Sequence, residues 1–518
     1  MQPSPSRRAV RFQFGLAIIS IAAIGVVAVL YSTSLGIGTD ADSATYLMTS
    51  RSLVAGKGLT LPTAEGPNIP MTSFPPLLPM VLAAFGFMGV DPLVGARWLN
   101  ALLFGADIVL VGFLVQRTTE SDAMAIFGAS LAATSADVLL NHCLLISEPL
   151  FQVFTFAGLA GVMLYVERPS FPRLLLFSAA FGLAGATRYA GVSLLPVGAL
   201  AICFCACSSR RRWFHLGSFL AIFGAPLSLW AVRNFAQVHA LSNRSLAFHP
   251  PGLDRFVYSY LNLSTWILPS AVPQSIRVLT LFAAILIVFL PVFRRIRTNV
   301  PSRWSFREVG AMFVASYVLL LLISQTFFDA QIWIAGRHLL AVYLLGSVVF
   351  ICEAKGLLDR STLYVRRAFV LICCVLVGGG VLRVAKNAVR FRQEGIGLSS
   401  RRWQMSTLAA KVKDIDSRTP LISNAGSAVY LLTGRLTHNL PSRVNAQTKR
   451  DRPEYAAEIE RTRLQLRENG GVVVFFTDFG TLPYEREMEQ QLELHAVATT
   501  DDGFLLASRI QGAAAYHQ

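Results

Sequence analysis

Charge is scarce in this chain. Of 518 residues only 15% are Asp, Glu, Lys or Arg, against 53% hydrophobic, which leaves too little polar surface to coat a soluble globule of that size. Cysteine is scarce as well. The seven, at 143, 203, 205, 207, 352, 373 and 374, all lie in or beside apolar runs, which argues against a disulfide framework or a zinc site. The set Cys203, Cys205 and Cys207 falls in one apolar run and reads as packing. Soluble-enzyme signatures are missing too: there is no Walker loop, no His-Glu-x-x-His and no Gly-x-Ser-x-Gly. Gly36-Ile37-Gly38 does not continue into a dinucleotide fingerprint. No low-complexity tract and no internal period of about 20 to 50 residues is evident.

Basic residues are in excess, giving a net charge of +16. The arginines sit in short clusters between apolar runs, with no basic face interleaved with aromatics, so nucleic acid is not an expected partner. Apolar runs able to cross about 30 Å of hydrocarbon recur from Phe12 to Leu382, and the sequence after Arg390 is of mixed polarity. The expected fold class is therefore an all-α polytopic membrane domain, 1–390, followed by a small α/β domain, 391–518.

About eleven spans are expected, near 12–31, 93–115, 122–141, 148–166, 171–187, 190–208, 213–235, 276–293, 309–327, 337–353 and 367–384. The first follows Arg7, Arg8 and Arg11 but lacks a small-residue cleavage site, so it reads as uncleaved. Placing the N-terminus in the cytoplasm puts Arg117, Arg168, Arg173, Arg210 to Arg212, the cluster around Arg294 and Arg366 on the cytoplasmic face, as the positive-inside rule demands. Leu77 to Val90 follows Pro75-Pro76 and is about 21 Å long as a helix, too short to span, so it reads as re-entrant or interfacial. The protein is then expected in the inner (plasma) membrane, with the loop 32–92, the loop 236–275 and the tail all extracytoplasmic. In the tail, Pro420 to Asn424, Gly471 to Thr477 and Phe504 to Ile510 read as strands and Pro453 to Asn469 as a helix.

Ionisable residues at the outer ends of spans are costly to keep and so draw attention. Asp40 and Asp42 follow the first span, then Tyr46, Arg51 and Lys57. Arg97 follows in Gly95-Ala96-Arg97, Glu148 in Ser147-Glu148-Pro149, Arg188 in Thr187-Arg188-Tyr189, and Arg337 and His338 in Gly336-Arg337-His338. Blander readings stand beside these. The aspartates can cap a helix starting near Ala44, and Lys57 can be a turn residue. The arginines can snorkel, Glu148 can be a first-turn acid favoured by the helix dipole, and His142 and His338 can be interfacial.

Taken in order, an aspartate four residues before Tyr46, the Pro75-Pro76-Leu77 break, Arg97, Glu148, Arg188 and Arg337 resemble the glycosyltransferase C-fold. The resemblance spans nearly the whole chain. It is nearest to the protein O-mannosyltransferases and to bacterial transferases that put aminoarabinose or galacturonate on lipopolysaccharide. Ile422-Ser423-Asn424, Tyr430, Thr433-Gly434-Arg435 and Pro441 are similar to the periplasmic domain of the bacterial members. The mannosyltransferases follow the aspartate with a glutamate where this chain has Ser43, so the bacterial, lipid-directed branch fits better.

The resemblance implies a polyprenyl-phosphate sugar as donor and a lipid or glycan hydroxyl as acceptor, with membrane lipids around both. The leaving phosphate is already a stabilised anion, so no carboxylic acid need protonate it, unlike a glycosidase. One carboxylate suffices as base, Asp42 ahead of Asp40. Arg97, Arg188, Arg337 and Lys57 would hold the phosphate. Glu148, with His338 and Tyr46, would bind substrate, orient an arginine or ligate a divalent cation. That need for metal stays open. Competing readings are a secondary transporter, which predicts inverted halves; an O-antigen ligase or polymerase, which would work without the first-loop aspartate; and a purely structural scaffold.

Overall fold

The structure is a computed structural model that describes residues 5–204, 208–298, 304–480 and 482–508. Cys205, Cys207 and the end of the last expected strand, 509–510, lie outside these. The chain divides into two compact units. One comprises residues 1–34, 72–78 and 96–393, and the other residues 35–71, 79–95 and 394–518.

Within the described residues each of the eleven expected spans coincides with helix, the one at 190–208 reaching past them at 205–207. Among the described residues eight helices are long and apolar enough to cross a membrane: Phe12–Ser32, Pro92–Thr119, Glu148–Glu167, Ser209–Val238, Gln274–Arg297, Phe306–Phe327, Gly336–Leu358 and Leu363–Glu394. A ninth is divided, because Asp122–Ala133 and Ala136–His142 meet at 59°. The break has a local cause: Ser135 caps the second piece, its Oγ accepting from the Val138 amide, and a capped start cannot also be a helix interior. The two remaining stretches are shorter apolar helices, Phe171–Thr187 and Tyr189–Cys203.

Small residues set the closest packing. A Cβ on Gly158 would meet the Phe181 ring at 2.3 Å, and one on Gly161 would meet Phe177, including its backbone at 3.2 Å. Glu148–Glu167 and Phe171–Thr187 thereby approach as small-residue membrane helices do.

The second unit is α/β. Its five-stranded sheet runs β4 (His438–Asn439), β3 (Leu421–Ser423), β5 (Val472–Phe476), β7 (Gly503–Ser508), β6 (Leu494–Thr499), counting β1 (Thr60–Leu61) and β2 (Ile69–Pro70) as a separate small hairpin. β3 is parallel to β4 and β5, whereas β7 is antiparallel to β5 and β6. Side chains alternate along a strand, so Val472, Val474 and Phe476 face one core with Leu408, Val412 and Val429. Val473 and Phe475 face the other with Leu466, Met488 and Leu506. That two-sided burial explains why β5 is uninterrupted Val-Val-Val-Phe-Phe. The expected strands and the helix, here Tyr455–Asn469, are present within a residue or two. β4 and β6 were not foreseen, being a two-residue edge and a strand carrying His495 among alanines.

Candidate functional site

Within the first unit three distant sequence motifs converge on one buried carboxylate. Glu148 opens the helix Glu148–Glu167 and is 3% exposed. Its Oε1 lies 2.6 Å from Nη1 of Arg188 and 3.6 Å from Nε of Arg337. The 2.6 Å approach is a charge contact and not an aligned hydrogen bond. Arg188 Nη1 also donates to Ser147 Oγ at 2.9 Å.

Local sequence explains each position. Pro149 follows Glu148 and is accepted in a first helical turn, where its missing N–H has no partner to lose. Arg188 has extended backbone between the helix ending at Thr187 and the turn Tyr189–Ser193. Gly336, at φ +54°, supplies the left-handed corner from which Arg337 leaves. His338 and the buried Tyr317 are within electrostatic reach of Arg188 and Glu148, and Tyr317 also packs on Phe151, ring centres 6.0 Å apart. Two guanidinium groups thus meet at one carboxylate, and planar guanidinium groups suit the binding of a phosphate anion.

The other expected residues are placed as follows. Arg97 spends Nη2 on the Leu30 carbonyl, 2.8 Å, and Nε on Thr33 Oγ1, 3.1 Å, tying its helix to the end of the first one. His142 is fully buried, 3.3 Å from Asp107, with Nδ1 2.8 Å from the Val138 carbonyl. In the second unit, Lys57 is exposed in the turn after the helix Ala41–Val54, and Tyr46 is buried in that helix. The helix starts at Ala41, three residues before the expected Ala44, because Asp40 caps it. Asp40 Oδ1 accepts from the Ser43 amide and hydroxyl, each 3.0 Å, and Ser43 Oγ accepts from the Asp40 amide at 2.9 Å. Asp42 stands half-buried in the first turn. Among the described residues no three His, Cys, Asp or Glu side chains gather as a metal cage.

No protein-family profile and no curated protein matches the chain. Solved structures do. ArnT from Cupriavidus metallidurans in the apo state aligns over 95% of this chain and 97% of its own, with a TM-score of 0.58 at 13% identity. The same protein bound to undecaprenyl phosphate aligns over the same shares, at 0.55 and 14%. The arabinofuranosyltransferase AftD from mycobacteria aligns over 96% of this chain and 41% of its own, at 0.54 and 15%. The chain has the glycosyltransferase C-fold.

Sequence reading missed three further arginines near the segments that carry Arg188 and Arg337. Arg244 pairs with Asp329, which is 5% exposed, and Tyr189 lies within reach of the Arg244 charge. Trp230 Nε1 donates to Tyr189 Oη at 3.1 Å, and Arg233 lies 4.8 Å over the Trp230 ring. Arg255 lies 4.9 Å over Trp333 and donates to the Ala330 carbonyl at 2.7 Å. Arg233, Arg244 and Arg255 thus join Arg188 and Arg337 around the segments 188–189 and 329–338. The available signal was weak: Arg244 and Arg255 each stand alone in the loop 236–275, and Asp329 lies 85 residues from its partner.

Proposed function

We propose that the protein is a membrane glycosyltransferase that moves a sugar from a polyprenyl-phosphate carrier to a hydroxyl of a lipid or glycan acceptor, with inversion at the anomeric carbon. The observation that carries this reading is the cation-rich Glu148–Arg188–Arg337 cluster in a C-fold, one of whose structural neighbours holds undecaprenyl phosphate. Arg188 and Arg337 would take the phosphate, whose charge grows as the glycosidic bond breaks, and Glu148 would fix the two guanidinium planes. Arg97 and Lys57 are further candidates at the phosphate, and Tyr46 and His338 at the sugar. Asp42 is the base, accepting the proton of the attacking hydroxyl. Asp40 is second choice because its carboxylate already serves the helix start. Arginine placement supports a cytoplasmic N-terminus, which puts this chemistry on the extracytoplasmic side.

The test is Asp42→Asn, which keeps shape and removes basicity. Transfer to envelope glycolipids, followed by mass spectrometry, should fall by roughly 10²- to 10⁴-fold, the usual worth of a general base, at unchanged membrane expression. Undiminished transfer would refute the assignment.

A further inference from the structure

The helix that carries Asp42 is fastened at both ends to distant parts of the chain, and the fastenings lie within the second unit. At its start, the Thr39 carbonyl accepts from the Leu398 amide at 2.9 Å, and Thr39 Oγ1 meets Ser399 Oγ at 3.0 Å, across 360 residues of sequence. Thr39 and Gly397 form an isolated parallel bridge. Gly397 has φ +57°, and a Cβ there would sit 2.3 Å from the Thr39 carbonyl oxygen. Glycine is thus required twice, for the left-handed backbone and for the close approach. The peptide held this way is the one leading into Asp40, whose carboxylate sets the first helical turn and with it Asp42.

At the other end, about 16 Å away along the helix axis, Arg51 donates to Tyr430 Oη at 3.1 Å and to Asp91 Oδ2 at 2.9 Å. Tyr430 belongs to the tail helix Gly426–Thr433, which packs on Ala41–Val54. Burial would raise the Asp91 carboxyl, but the hydrogen bonds from Arg51 and the Leu93 amide outweigh it and hold the group below its ordinary range.

We infer that the C-terminal segment is a brace for the Asp42 helix, with Gly397, Thr39, Arg51 and Tyr430 as positioning residues. The inference rests on the reading of Asp42 as the base. A rod held at two points resists tilting, and a proton acceptor displaced by about 1 Å can lose roughly 10²-fold in rate. A merely solubilising tail would need neither the bridge at Thr39 nor the clamp at Arg51.

The test uses the full chain in detergent. Gly397→Ala should speed amide hydrogen exchange across residues 39–54 by about tenfold, and Tyr430→Phe should speed it at the C-terminal end of that helix. With undecaprenyl-phosphate mannose, arabinose and aminoarabinose offered in turn, Gly397→Ala should lower kcat about 10- to 100-fold with donor KM unchanged, because the phosphate grip is elsewhere in the sequence. Tyr430→Phe, which removes one hydroxyl, guards against simple misfolding of the first variant and should lower kcat severalfold in the same way. Unaltered exchange in both variants overturns the brace. So does a rise in KM at constant kcat. Were Asp42→Asn to retain full turnover, or the unaltered chain to turn over none of the donors, the functional reading would fall instead, while the exchange measurement would still decide the mechanical claim.

Discussion

Charge pairing around Glu148 should be unequal, and the inequality can be measured. Removing one partner from a buried ion pair costs about 3–5 kcal/mol, because the other charge is left without compensation. Arg188 lies 2.6 Å from Glu148, with its side chain 18% exposed. It keeps Ser147 as a partner, so the lower end, about 3 kcal/mol, is expected when Glu148 becomes Gln. Arg337 is 1.0 Å more distant and 32% exposed, so solvent screens it and its share is about 0.5 kcal/mol. Double-mutant cycles separate the two: coupling between Glu148→Gln and Arg188→Ala should exceed about 1.5 kcal/mol, whereas Glu148→Gln with Arg337→Ala should stay under about 0.5. Reversible unfolding along an SDS series in mixed detergent micelles, which returns the equilibrium free energies that the cycles need, is the assay. Equal couplings, or a larger one to Arg337, would refute the reasoning that distance and burial rank these pairs.

Two further outcomes are expected in the second unit. Asn424 Nδ2 donates to the Phe476 carbonyl at 2.8 Å, and its Oδ1 accepts from the Phe476 amide at 2.9 Å. Asn424→Ala should therefore cost about 2–4 kcal/mol, read as earlier proteolysis of the tail along a denaturant series. Asp91 and Asp502 are both partly buried, which raises them, yet side-chain hydrogen bonds from Arg51 and from Ser406 and Thr500 bring them below the ordinary value of 3.8. Folded-state depression means that their contribution is complete above that value and is lost as pH falls below it. Fluorescence of Trp403, the tail's only tryptophan, should hold steady from about pH 8 to 5 and change below about pH 4.

Much of this architecture was readable in advance, and the misses have physical reasons. Each described helix long enough to cross a membrane was visible in the sequence, because hydrocarbon imposes a length and a composition that an apolar run displays. Phe171–Thr187 and Tyr189–Cys203 look like full spans in composition yet are shorter helices. They pack on protein, with Gly182 against the backbone of Ile222 and Phe223 and Gly198 against the Phe219 ring, and apolarity alone does not distinguish a protein neighbour from lipid. Glu148, Arg188, Arg337 and His338 could be named singly, since a charge at a span end is conspicuous. Their meeting could not, because it depends on helix packing. Asp40 shows the opposite case: a capping box with Ser43 is local chemistry, and the start at Ala41 was open to reading three residues earlier. The contact between Thr39 and Leu398 left no trace, being a backbone bond that any residue type could make.

Helix burial differs sharply within the membrane unit: 78% of the most apolar stretch of Glu148–Glu167 is enclosed by protein, against 6% of that of Leu363–Glu394. The consequence concerns how the two segments can change over time. Along Leu363–Glu394 most side chains answer to oily surroundings alone, so Val, Leu, Ile and Phe should interchange there almost freely. Along Glu148–Glu167 each position answers to the contour of its neighbours, and relatives of this protein should keep that helix nearly letter for letter while the other drifts.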